Sequence, residues 1–99
     1  MENFNVRFKC FGGVTDGYQA VFHIYDKTDR NIHYKINFEI SDTQYNSEFN
    51  NTKQLTGGYI DKKFGNLENC FKEVGVKFIK ERIKDNQLED EVVNLLKFI

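Results

Sequence analysis

The chain opens on strict alternation. Over residues 4–10, Phe4, Val6, Phe8 and Cys10 fall on one side and Asn5, Arg7 and Lys9 on the other, the two-residue period of a strand with one buried face. GGVTDG (12–17) supplies glycines and an aspartate for a turn. A second strand follows over 18–25, with Tyr18, Ala20, Phe22 and Ile24 on a common face. DKTDR turns the chain again, and in 32–40 Ile32, Tyr34, Ile36, Phe38 and Ile40 alternate with His33, Lys35, Asn37 and Glu39. Three consecutive strands with short turns predict an antiparallel meander with one strongly apolar face.

From Ser41 to Asn66 the periodicity fades into a stretch rich in Asn, Thr, Ser and Gly, with room for a short fourth strand near Tyr59–Phe64. So long a structureless segment is unusual in a small domain, so local order or a functional loop is expected there. The last third reads as helical. Asn66 is placed to cap a helix in which Leu67, Cys70, Phe71, Val74 and Phe78 recur at spacings of three and four, widened by Ile79 and Ile83. Gly75 falls inside this run, where it costs about 1 kcal/mol relative to Ala unless close packing on the sheet requires it. NQLE (86–89) has the form of a capping box and predicts a second helix with Leu88, Val92, Leu95, Leu96 and Ile99 inward. Glu89, Asp90 and Glu91 would then stabilise the positive end of that helix. The predicted fold class is α+β: a meander of three strands, or four with the 59–64 segment, followed by two C-terminal helices packed on one face, all in a single domain spanning 1–99.

Composition narrows the function classes. Ninety-nine residues support one modest core and not two. Ten Phe and five Tyr, with no Trp and no Pro, mean that a few large rings fill it. A formal net charge of −1 removes the whole-molecule electrostatic footprint of a duplex DNA binder, while a local basic patch stays open. No apolar run approaches the ~18 residues needed to span a bilayer, and MENFNVRFKC lacks the pattern of a signal peptide. A cytoplasmic protein with no membrane association is expected. Cys10 and Cys70, far apart in sequence, form neither a disulfide framework nor a zinc motif and are expected as buried, reduced thiols. The Asn- and Lys-rich, Ala-poor composition suggests an AT-rich genome of the bacterial or phage kind.

No catalytic constellation assembles from these residues. There is no G-x-S-x-G elbow and no G-x-x-x-x-G-K-[ST] phosphate loop. TGGY (56–59) has the composition of an anion-binding nest, although a Gly-Gly pair in a polar loop is more often a plain turn. Lys72, Lys77, Lys80, Arg82 and Lys84 are interleaved with Glu73 and Glu81, which reads as a solvated, self-paired helix face, with a docking strip for an acidic partner as the alternative.

The outer face of the sheet remains. Alternation places Asn5, Arg7, Lys9 and Phe11 there from the first strand, Gln19, Val21, His23 and Tyr25 from the second, and His33, Lys35, Asn37 and Glu39 from the third. A three-residue turn sets His23 opposite His33; a five-residue turn sets His23 opposite Lys35 and Tyr25 opposite His33. Even a facing histidine pair falls short of the three or four ligands of a zinc site, so neither metal nor cofactor is expected. An enzyme built on His23 or His33 would need neighbours from 42–66 that the sequence does not place. The plainest reading of the face is a solvated one. Arg7, Lys9, Phe11, His23, Tyr25, His33 and Lys35 form the candidate binding set if it is occupied. The leading expectation is a non-enzymatic binding protein acting on another protein, of the accessory, immunity or inhibitor kind found in bacteria and phages. Single-stranded nucleic acid, held by rings and cations on the same face, is the alternative. An unpaired sheet edge permits a homodimer without requiring one.

Overall fold

A computed structural model describes residues 3–29, 31–46 and 57–95. The meander forms as the alternation predicts: β1 (Phe4–Val14), β2 (Gly17–Asp26) and β3 (Ile32–Ser41) pair antiparallel in that order. The strand ends are tied by specific bonds. Gly17 faces the β3 backbone so closely that a Cβ would meet the Ile40 carbonyl, which is why this position carries glycine. Asp26 accepts from the Thr28 amide (2.8 Å) and hydroxyl (2.7 Å), fixing the second turn, and these bonds hold its carboxyl below the usual range.

Ser41 ends β3 and starts a short helix α1 (Asp42–Asn46). The Ser41 hydroxyl accepts from the Gln44 amide (3.1 Å), and the Gln44 side chain accepts from the Ser41 amide (3.2 Å). That is a reciprocal capping box written in the sequence as SDTQ. Residues 47–56, the centre of the polar segment, lie outside the described residues, as does Thr56 of TGGY. Gly57 opens α2 (Gly57–Phe64), so the fourth strand expected near Tyr59–Phe64 is a helix instead. Ile60 is fully buried and Phe64 packs against the core, and a spacing of four between apolar residues is one helical turn, not a strand period.

One long helix, α3 (Leu67–Lys84), covers the apolar face of the sheet. Asn66 caps it by accepting from the Asn69 amide at 2.7 Å. Leu67, Cys70, Phe71, Phe78 and Ile79 are its buried stripe. Gly75 lies where a Cβ would stand 2.6 Å from two ring atoms of Phe22 and 3.1 Å from Phe38, so the helix can approach the sheet only without a side chain there. Phe22 is the hub of the core, with Phe8 and Phe38 edge-on at 5.5 and 5.6 Å and Phe78 edge-on to Phe38 at 5.4 Å.

The chain after α3 departs from expectation. Asn86 takes a left-handed backbone (φ 56°), a conformation that Asn tolerates better than most side chains. The Asn86 amide donates to the Ile83 carbonyl (3.2 Å) and the Gln87 amide to the Arg82 carbonyl (3.0 Å), the paired closure of a helix C-terminus. Asn86 therefore ends one helix where it was expected to begin another. Residues 91–94 form β4 (Glu91–Asn94), parallel to β3 and at the edge of a sheet ordered β1-β2-β3-β4. Val93 and Leu95 are buried while Val92 is 63% exposed, the period of a strand. Leu96 and Ile99, expected inward, lie outside the described residues. Two of the three carboxylates assigned to a helix start are used otherwise. Asp90 accepts from the Lys35 amide (2.7 Å), pinning the edge of β3 just ahead of the β4 pairing, and Glu91 lies 3.5 Å from the Arg82 guanidinium. The α+β class and the meander stand. The second C-terminal helix is replaced by a strand.

Candidate functional site

The outer face of the sheet follows the ladder, and two irregularities in the ladder rewrite its membership. The β1–β2 register runs from Phe8↔Phe22 to Cys10↔Val21, leaving Lys9 as an extra residue in β1. Such a bulge reverses the alternation beyond it. Phe11, expected outside, pairs with Ala20 and turns under α3, stacked on Tyr18 (6.2 Å, 7° between planes) and 5.6 Å from Phe71. Cys10, expected buried, takes the outward position and is exposed. Cys70 is buried as expected, and burial pushes its thiol up to about 12, with Glu73 adding to the rise.

The second irregularity sits in β3, where the register passes from Ile24↔Tyr34 to Tyr25↔Ile32 and leaves His33 unpaired in the ladder. His23 faces Lys35, as a five-residue turn requires, but Tyr25 faces Ile32 and not His33. Ile32, expected in the core, is 44% exposed as a result. The His33 ring leaves the row and leans on Phe4 (6.2 Å) and Tyr34 (6.4 Å), with Nε2 3.4 Å from Asp29. The two histidines do not face each other, and no cluster of three or more His, Cys, Asp or Glu suited to a metal occurs among the described residues.

Five of the seven candidate residues remain together. Arg7, His23 and Lys35 occupy one row across β1, β2 and β3; Lys9 bulges beside it, and Tyr25 stands in the next row. His23 is only 9% exposed although no helix among the described residues is seen to cover this face. Its Nδ1 lies 3.4 Å from the Tyr25 hydroxyl, and the Arg7 guanidinium sits 6.0 Å from the Tyr25 ring centroid. Burial lowers the His23 pKa from 6.5, and the charges of Lys35 and then Lys9 lower it further. Among the described residues no carboxylate forms an ion pair with Arg7, Lys9 or Lys35. Glu39, the acid of this face, is four residues from Lys35, about 13 Å along the strand.

Apolar groups complete the surface. Ile32 lies beside the cationic row, and Val92 of β4 joins Cys10, Val21 and Asn37 in the row beyond Lys9. Strand alternation over 91–95 could have located Val92. The bulge at Lys9 left only one trace in the sequence, an apolar Phe11 on the polar side of the pattern. Between residues of α3, Glu68 and Lys72 pair at 3.7 Å, and the Lys72 ammonium also lies 4.7 Å from the Phe8 ring centroid. No helix among the described residues is long and apolar enough to cross a membrane. Compared with known proteins, the chain matches no protein-family model, no curated protein and no solved structure.

Proposed function

We propose that this protein is a small non-enzymatic binding protein that docks another protein on the outer face of its sheet, against a partner surface carrying acidic groups. The observation that supports this reading most is the set of three cations, Arg7, Lys9 and Lys35, gathered around one buried imidazole without a pairing carboxylate among the described residues. Cations left uncompensated on a rigid sheet favour an anionic partner and speed encounter with it.

Protein is favoured over single-stranded nucleic acid by what surrounds the cations. A stacking platform needs several exposed rings, and Phe11 and His33 are both turned away from this face. Tyr25 is the ring that remains, and aliphatic Ile32 and Val92 stand exposed nearby. Aliphatic groups among Arg and Tyr are the composition of a protein interface. An accessory or inhibitor role in a bacterial or phage cell fits a protein of this kind.

The test compares wild type with the Arg7→Glu/Lys35→Glu double variant, its fold checked by circular dichroism, as baits in extract of the source cells. A protein held in stoichiometric amount by wild type and lost by the variant is the expected result. Equal capture by both baits, or capture of nucleic acid in place of protein, overturns the reading.

A further inference from the structure

We propose that the Arg7–His23–Lys35 row is the seat of a side-chain carboxylate from an acidic segment of the partner, with His23 as its floor. The proposal rests on the reading of the outer face as the docking surface and names the chemistry at its centre.

The geometry is that of a cradle. Arg7 and Lys35 are both Cα partners of His23, so their backbones stand two strand spacings apart, about 9.5 Å. Both side chains are long enough to close over a group resting on the imidazole between them, and Lys9 adds a third cation from the bulge. The Arg7 guanidinium stands 6.0 Å from the Tyr25 ring centroid; swung in opposite Lys35, it would give a guanidinium and an ammonium suited to the two oxygens of a carboxylate. The neighbouring rows hold Ile32 on one side and Val21 and Val92 on the other, apolar contacts that suit an amino-acid segment better than a phosphodiester backbone.

Occupancy carries a proton with it. The groups facing His23 are Arg7 and Lys9 from β1, Tyr25 from β2 and Lys35 from β3. Asp90 is bonded to the Lys35 amide, Asp26 to Thr28, and Asp29 lies near His33, while Glu39 stands two rows away. In the free protein burial, and then the charges of Lys35 and Lys9, lower the imidazole's pKa. A carboxylate placed over the ring offsets the field of the lysines, the imidazole takes up a proton from the buffered solvent, and the bound state gains a charged donor beside Arg7, Lys9 and Lys35. Linkage then requires binding to tighten as pH falls through the His23 transition.

Only two histidines are present, so their ring signals in a carbon–proton NMR spectrum read the site directly, with His33 as internal control. The full chain is titrated over about pH 5 to 8 alone, with a hexaglutamate peptide, and with a thymidine hexanucleotide, all at one ionic strength. The expected result is a rise of about half a unit or more in the His23 midpoint with the peptide, equal to about threefold tighter peptide binding at the acid end, with His33 unmoved. Lys35→Gln should remove the rise; His23→Gln should keep peptide binding and lose its pH dependence. No movement of His23, equal movement of both histidines, or movement with the oligonucleotide alone overturns the proposal. If charge reversal abolishes partner capture while the peptide leaves His23 unmoved, the docking face stands and the carboxylate seat falls. If capture survives charge reversal, both fall.

Discussion

The two faces of this sheet are built from the same three strands and differ in what closes them. The inner face is closed by α3, which brings Phe71, Phe78 and Ile79 onto Phe22, Phe38 and their neighbours. Among the described residues no element covers the outer face, yet His23 at its centre is nearly as inaccessible as the core. Apolar area removed from water drives the first closure, at about 25 cal/mol per Å². The second has no such drive: it sets like charges side by side and lowers the pKa of the imidazole beside them. The inner face is therefore organised for stability, and the outer one carries cations without an ion pair among the described residues.

The largest effect should appear in thiol reactivity. In native protein treated with a thiol reagent, Cys10 should label readily while Cys70 waits for unfolding, a suppression of about a thousandfold or more. Comparable labelling of the two would mean that the bulge at Lys9 does not exchange Cys10 for Phe11 as described. Next in size is Gly75→Ala. Overpacking against the fully buried Phe22 ring costs about 1–3 kcal/mol, against about 1 kcal/mol gained from helix propensity. The variant should unfold at lower urea concentration, and a stabilised variant would show that α3 does not sit so close to the sheet. The smallest effect belongs to Lys35→Ala, which should change stability at neutral pH by no more than about 0.5 kcal/mol.

The pH dependence gives that last variant its value. With its pKa lowered from 6.5, His23 binds fewer protons folded than unfolded just below that pH, so stability falls as pH drops through it. Removing Lys35, whose charge follows burial among the causes, should shrink that acid-side loss. Urea midpoints at neutral and mildly acidic pH measure the difference directly.

The inner face was the legible one. Its residues repeat with periods of two and of three to four, because burial constrains every position on a covered face, and even the need for glycine at position 75 shows as a breach of helix propensity. The Asn66 cap was legible for a local reason, one side chain and one amide. The register was not, since bulges at Lys9 and His33 each add a residue without leaving a polar or apolar error long enough to read. They moved Phe11 and Ile32 to opposite faces from those expected and took His33 out of the candidate site, while Arg7, Lys9, His23, Tyr25 and Lys35 kept their places. The last strand was misread because Leu88, Val92 and Leu95 satisfy a helical spacing as well. The decision lay in the backbone at Asn86, whose left-handed turn closes α3.

Placing the final strand beside β3 has a kinetic consequence. The contact between Lys35 and Asp90 spans 55 residues, and closing such a loop costs about 2 kcal/mol more than closing a hairpin of five. The meander can assemble from near neighbours, whereas α3, whose Phe71 reaches back to Phe11, and β4 both close long loops, β4 through a ladder from Ile36↔Glu91 to Glu39↔Asn94. As a four-residue strand at the sheet edge, β4 should be the part of the sheet that detaches most readily. Because Val92 and the Asp90 clip on Lys35 travel with it, each excursion of this strand dismantles one border of the proposed docking face, so hydrogen exchange at its amides and the lifetime of a complex formed there should be governed by the same motion.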